Sequence, residues 1–441
     1  MPSRFTRLAT LAAAAGAMLL FSGTAAAKPM TLLSFKAEFA KHASQYRSAK
    51  ANGAIVPPPS PCPQNGLMPN PQVDGIGVVP NCGIPELPIA FGEPYPGTMS
   101  YYGGHVQVHP HEYIIFWGWG EKGAFKQDCK RERIVEGSTK ATLRCDPDGA
   151  GRYMANFVHG IGGTQWAKVQ DQFYQSNPDG KHYINEKGNL LAGIWVDDHS
   201  PGANLQKTSS QNPYGPKHTY TEMALEATRA ARHFGVHGEA LKNANFIIAQ
   251  PQNFSDPQSA SGGALIGYCA FHDYTLYGAT GNKYYNPKFG VGQHISYTNL
   301  PYMPNAGGGC GAGFVNHPGP LDGISIGLGH EIQETVTDPG AEDVIGNITN
   351  GGTTYYGGWY DQLDANENGD KCAYVGLSPT AGFVGPDILP MPGAMGNIKG
   401  SHGGKFAVQA MWSDAAAGGA GWCAGVASTD LPGSLSGEPP Y

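Results

Sequence analysis

Apolar residues recur at every fourth position in Ile324, Leu328, Ile332 and Val336, and this stripe predicts a helix over 323–338. Asp322 stands where an N-cap belongs, and Pro339 stands where a helix should stop. At about 100° per residue, His330, Glu334 and Asp338 fall on the opposite side, with Glu331 at its edge. Gly327 and Gly329 interrupt the pattern, each at a cost of about 1 kcal/mol relative to Ala in a helix interior. Gly327 lies on the His330 side, where a missing side chain leaves room for close approach.

The same reading applied along the chain gives a mixture of element types. Tyr113-Ile-Ile-Phe-Trp-Gly-Trp119 has the continuous apolar character of a buried strand. Residues 151–160 (Met154, Phe157) and 164–175 (Trp166, Val169, Phe173) have helical spacing, and 190–196 reads as a strand. Met223, Ala227, Ala230 and Phe234 mark the buried side of a helix over 220–234. Strands follow at 245–249, 264–271 and 295–302, and a late one at 406–412. Strands and helices mixed in this way predict α/β or α+β layers around one sheet. No repeat with a period of about 20–50 residues is present.

Before residue 99 the pattern is different. Residues 1–27 have the form of a secretory signal: Arg4 and Arg7, an Ala/Leu-rich run from Leu8 to Phe21, and Ala25-Ala26-Ala27 before Lys28. The apolar run is short for a membrane span. Residues 31–50 read as a short amphipathic helix through Leu33, Phe35, Phe39 and Tyr46. From 54 to 97 the density of Pro, Gly and Asn excludes regular elements. The expected organisation is a signal at 1–27, a Pro/Gly-rich extension at 28–98 and one domain at 99–430.

Composition fits an exported, loop-rich protein: charged residues are 14 %, with 64 Gly and 35 Pro. Loss of residues 1–27, which carry Arg4 and Arg7 and no acid, takes the formal charge from −7 to about −9. A mildly acidic chain gives no reason to expect nucleic acid or an anionic membrane as partner. The 8 Cys form an even set, and nearest neighbours suggest Cys62–Cys82, Cys129–Cys145, Cys269–Cys310 and Cys372–Cys423. No C-x-x-C occurs, which argues against a Cys-based metal site.

The candidate chemistry lies in the first helix described. An imidazole and a carboxylate four residues apart on one helix can hold one zinc ion, and the residue after the His is placed to act on the attacking water. His330-Glu331-x-x-Glu334 has this form, with Glu334 in place of the second His of H-E-x-x-H. The third ligand is open between Asp370, Glu367 and Asp338. Asp364-Ala-Asn366-Glu-Asn368-Gly369-Asp370 resembles the first half of a calcium loop, with Val375 where the closing Glu belongs. His105, Gln107 and His109 share a face of an extended segment, but two His at that spacing in a strand are too far apart for one metal unless the segment bends. His272, after a strand, reads as a structural His, with a donor to a metal ligand or to the transition state as the alternative. No G-x-S-x-G elbow and no P-loop appear.

The ordered set of short motifs resembles the exordium, or phosphate-induced, family of secreted proteins. The matching pieces are Tyr101-Tyr-Gly-Gly104, Gly267-Tyr-Cys269-Ala-Phe-His272, Leu300-Pro-Tyr302, Gly309-Cys310-Gly311 and Leu321-Asp-Gly-Ile-Ser325. They continue through His330-Glu331-x-x-Glu334-x-x-Thr337-Asp338-Pro339, Gly369-Asp370-Lys-Cys372 and Phe406-Ala-Val-Gln409-x-Met-Trp412. The helix motif is similar to that of zincin metallopeptidases, whose fold places such a helix under a mixed sheet. The resemblance covers roughly 99–425; the 28–98 extension and the Gly-rich stretch from Asn347 to Gly358 depart from it.

Together these features give the expectation of a secreted, disulfide-stapled, zincin-like hydrolase acting on protein or peptide. Zinc is expected on His330, Glu334 and Asp370, with Glu331 as base and calcium as a further expectation at 364–370. The rival expectation is a non-catalytic extracellular or cell-wall-associated binding protein on the same scaffold. Its aromatic loop residues Tyr355, Tyr356, Trp359 and Tyr360 would face the partner.

Overall fold

The computed structural model describes residues 98–126, 131–199, 219–257, 259–263, 268–274, 295–339, 348–350, 353–355, 358–361, 367–373, 395–415 and 422–426. The expected signal, the 31–50 helix and nearly all of the 28–98 extension lie outside these residues.

The central sheet is built from β1 (His111–Trp117), β2 (Leu191–Asp197), β3 (Ala244–Ala249), β4 (Phe271–Tyr274) and β5 (Ser296–Leu300). Its spatial order is β2-β1-β3-β5-β4. The first four of these run parallel, and β4 lies antiparallel on β5 with His272 opposite Thr298. The sheet is thus mixed, and the fold is α/β in the α+β sense, stapled by disulfides Cys269–Cys310 and Cys372–Cys423. Cys145 is also disulfide-bonded. Cys62, Cys82 and Cys129 lie outside the described residues.

Alternation along the strands sorts apolar side chains to two faces. Ile115, Trp117, Phe246, Ile248, Phe271 and Tyr297 pack with α2 (Thr219–Phe234) through Met223, Ala227 and Ala230. Ile114, Phe116, Ile247, Ala249 and Leu300 pack on the other side. That layer holds α1 (Ala150–Ile161), through Met154 and Phe157, and α3 (Asp322–Thr337), through Ile324, Leu328, Ile332 and Val336. Because Phe271 faces α2, the pleat turns His272 toward α3. Both sheet faces are therefore covered, as the near-continuous apolar runs of β1 and β3 require.

Several expected elements are shifted. Residues 164–175 form a 3₁₀ helix at Ala167–Gln172 followed by a strand at Tyr174–Asn177. Trp166 and Phe173 are buried as anticipated, but the backbone bonds differ. The strand placed at 264–271 runs over Phe271–Tyr274, and 264–267 lie outside the described residues. The late strand is divided by Ala410 into Lys405–Gln409 and Met411–Ser413. Asp322 is the first residue of α3 and not its cap. Its carboxylate accepts the backbone N–H of Val315 at 3.1 Å and of Asn316 at 2.7 Å.

Helix α3 has no solvated face: all its residues are buried. Some of its polar groups are bonded internally. Thr335 Oγ1 donates to the Glu331 carbonyl at 2.7 Å, and Gln333 Nε2 donates to Glu186 at 2.9 Å. The helical glycines serve this burial. A Cβ on Gly327 would lie 2.5 Å from Met303 Cε, and one on Gly329 would lie 3.1 Å from Phe157 and Trp166. Gly327 thus admits a core methionine, which corrects its reading as an open approach to His330.

Candidate metal centre

The side of α3 opposite its apolar stripe carries His330, Glu331 and Glu334, all completely buried. Helical spacing puts His330 Nε2 at 3.0 Å from Glu334 Oε1. Asp370 comes from the start of α4 (Asp370–Ala373). Its Oδ1 lies 3.6 Å from His330 Nε2, and its backbone N–H donates to Glu334 Oε1 at 3.0 Å. One ligand atom from each of His330, Glu334 and Asp370 falls within 4.8 Å of the others.

The segment that delivers Asp370 is fixed from several sides. Asn368 Nδ2 donates to Gln170 Oε1 at 2.8 Å, to the Gln333 carbonyl at 3.1 Å and to Thr337 Oγ1 at 3.1 Å. Gln409 Nε2 donates to the Gly369 carbonyl at 2.8 Å. The Cys372–Cys423 disulfide ties α4 to the strand at Trp422–Ala424. Gly369 is in van der Waals contact with the site itself: a Cβ there would lie 2.6 Å from Glu334 Oε1 and 2.8 Å from His330 Nδ1. Only a residue without a side chain fits between the helix and α4.

A second imidazole enters from the sheet. His272 Nε2 donates to the Asp338 carbonyl at 2.9 Å and lies 3.3 Å from Glu367 Oε1. Its Nδ1 is 3.3 Å from Glu331 Oε2 and 3.6 Å from Glu334 Oε2. His272, Glu331 and Glu334 form another group whose ligand atoms lie within 4.8 Å of one another. Glu334 is common to both groups.

The three candidates for the third ligand are now separated. Asp370 joins His330 and Glu334, whereas Glu367 sits against His272. Asp338 closes the helix end: its N–H donates to the Glu334 carbonyl at 2.6 Å, and its Oδ1 accepts the Gly358 N–H at 3.0 Å. In the anticipated calcium loop, Asp364 and Asn366 lie outside the described residues, and Glu367 and Asp370 turn toward the two imidazoles. His105 and His109 do not converge. His105 Nδ1 meets Gln175 Oε1 at 3.0 Å and its other ring nitrogen meets the Lys242 carbonyl, while His109 is exposed.

The electrostatics are dominated by crowding of acids in a dry place. Burial, with Glu367 adding to it and His272 opposing it, pushes Glu331 up to about 7. Burial, then the charges of Glu367 and Glu331, hold Asp370 well above the usual carboxylate range. Burial alone would lower His272, but Glu367 and Glu331 outweigh it and raise the imidazole well above its ordinary value. Glu331 Oε1, Asp370 Oδ2 and both oxygens of Glu367 are buried and accept no hydrogen bond. A buried carboxylate oxygen left so costs about 1–3 kcal/mol or more. A cation among them would remove that cost, and a His/carboxylate donor set fits a first-row divalent metal. The buried His/Glu/Asp groups are therefore a site able to hold a metal ion.

Glu367 is one of the three sequence candidates for the third ligand, whereas His272 is not marked as a ligand by its sequence neighbourhood. The one signal was the placement of Phe271-His272 at the end of an apolar strand. No family model matches the chain, and neither a curated protein nor a solved structure matches it.

Proposed function

We propose that this protein is a zinc-dependent hydrolase of the zincin type, with peptides as the substrate class. The observation that supports the reading best is the convergence of His330, Glu334 and Asp370 beside Glu331, a buried carboxyl pushed up to about 7. His330 Nε2, a Glu334 oxygen and Asp370 Oδ1 would hold the ion. Bound there, zinc would supply Lewis acidity toward a scissile carbonyl and toward water.

The chain's own residues have definable roles. Glu331 is the base, and a carboxyl beside the ligands can both take and return a proton. His272 orients it through Oε2, which leaves Oε1 as the working oxygen. The Asp338 carbonyl in turn fixes the His272 ring. Asp370, 6 % exposed, is the one residue of the two groups with measurable access, since His272, His330, Glu331 and Glu334 are at 1 % or below. Substrate approach is from that side, and turnover requires it to open.

The same burial favours a second reading. Structural metal sites are closed and catalytic ones keep an open position. On this reading the ion braces an extracellular binding protein, and Glu331 is a charge partner of His272. The disulfides fit an oxidising environment for either version, and export would run through the 1–27 segment. Among the described residues, no helix is long and apolar enough to cross a membrane.

Zinc content of the purified protein, followed by peptide cleavage with wild type and Glu331→Gln, tests the proposal. The hydrolase reading expects bound zinc in both and a loss of about 10²–10⁴-fold in cleavage by the variant. Bound zinc without cleavage by wild type selects the structural reading. Equal cleavage by both proteins removes Glu331 as the base.

A further inference from the structure

We propose that the centre takes two divalent ions, with a second position formed by His272, Glu331 and Glu334, so that Glu334 bridges the pair. The inference rests on the reading of His330, Glu334 and Asp370 as the first position.

The argument starts from His272. A carbonyl can only accept, so the 2.9 Å bond to the Asp338 oxygen puts a hydrogen on Nε2. In the neutral ring, Nδ1 then carries a lone pair. That lone pair faces Glu331 Oε2 at 3.3 Å and Glu334 Oε2 at 3.6 Å. Without a proton on Nδ1, three possible ligand atoms meet at a point sealed from solvent. A metal-ligating His whose other nitrogen donates to a backbone carbonyl has this arrangement.

Glu334 is divided between the two positions. Its Oε1 lies 3.0 Å from His330 Nε2 and receives the Asp370 N–H, while its Oε2 faces His272. A carboxylate used in this way joins ions about 3.5–4 Å apart.

Charge balance points the same way. The two groups and their neighbour Glu367 present the carboxylates of Glu331, Glu334, Glu367 and Asp370 against the imidazoles of His272 and His330. One dication leaves this buried set strongly negative. Two dications neutralise it with both imidazoles uncharged. The nearby Lys371 ammonium is directed at the Trp412 ring, 4.2 Å from its centroid.

A further observation lies at the second position itself: Glu331 is fully buried, and its Oε1 has no hydrogen bond. Two imidazoles with four carboxylates is a donor set suited to Zn²⁺, Mn²⁺ or Fe²⁺ pairs.

The test uses the whole purified protein, stripped with a chelator and reloaded with Zn²⁺ or Mn²⁺. Expected are two ions per chain by elemental mass spectrometry and an exchange-coupled electron paramagnetic resonance spectrum for the Mn²⁺ form. His272→Gln should hold one ion and give an uncoupled spectrum, with circular dichroism to show that it folds. One ion in wild type overturns the proposal and leaves the first position standing. Two uncoupled ions also overturn it, by placing the second elsewhere. No bound ion removes the first position as well. The wild-type stoichiometry and spectrum decide the question even where the variant does not fold.

Discussion

Replacing Gly369 by Ala adds one methyl group to the most crowded point of the centre. Its carbon would sit 2.6 Å from Glu334 Oε1, 2.8 Å from His330 Nδ1 and 3.0 Å from His330 Cε1. Ordinary van der Waals contact begins at about 3.4 Å, so the two ligands must withdraw by roughly 0.5–0.8 Å. They have little freedom to do so, because α3 is buried along its whole length and Asn368 and Gln409 pin the opposing segment. Overpacking of this kind costs about 1–3 kcal/mol. Metal–ligand distances tolerate about 0.2 Å, so the displacement should also weaken binding by at least the 10–100-fold seen when supporting contacts are lost. Competition with a chromophoric chelator measures the affinity, and thermal unfolding in excess chelator measures the metal-free cost. Gly309→Ala is the control, since a Cβ there meets nothing within 4 Å. Wild-type zinc affinity in Gly369→Ala would refute the placement of the ion between α3 and α4.

Other outcomes follow from the same coordinates. Burial, partly offset by the Asn245 hydrogen bond, pushes Glu112 from 4.5 to about 8. The folded state therefore keeps this proton longer than the unfolded chain. Stability is fully present below about 4.5 and falls as pH rises toward 8, by roughly 5 kcal/mol at about 1.4 kcal/mol per pKa unit. Glu112→Gln keeps an acceptor for Asn245 and should flatten that slope in urea unfolding at pH 5 and 9; parallel slopes would contradict it. Replacing both Cys372 and Cys423 by Ser opens a 51-residue loop and should cost about 4 kcal/mol by chemical denaturation. Because that bond holds α4, zinc affinity should fall with it, and an unchanged affinity would show that Asp370 is positioned by other contacts. Glu331→Gln should retain the zinc held by His330, Glu334 and Asp370 while losing hydrolysis, as read by metal analysis and peptide cleavage on one preparation.

The parts of the fold visible in the sequence were those governed by local periodicity. Ile324, Leu328, Ile332 and Val336 marked α3 correctly because a helix must turn one stripe to the core. The same residues could not show that the opposite stripe is buried too, since that depends on strand β4 and the 367–370 segment, which are distant in the chain. Helical spacing around Trp166, Val169 and Phe173 identified buried positions but not the 3₁₀-then-strand backbone that buries them. Asp370 was legible as a candidate through Gly369-Asp370-Lys-Cys372. Its selection over Asp338 depended on Asp338 being used at the helix end. His272 was opaque for a simpler reason: a lone His in a strand has no partner at a diagnostic spacing. Its role arises from the antiparallel pairing of β4 on β5, which faces it toward α3.

The most direct test of the metal centre is an anomalous-difference map at the zinc edge from crystals of the protein grown with zinc. A peak about 2.0–2.2 Å from His330 Nε2, Glu334 and Asp370 is the predicted result. A map without a peak at that position, or with zinc confined to surface residues, would contradict the account.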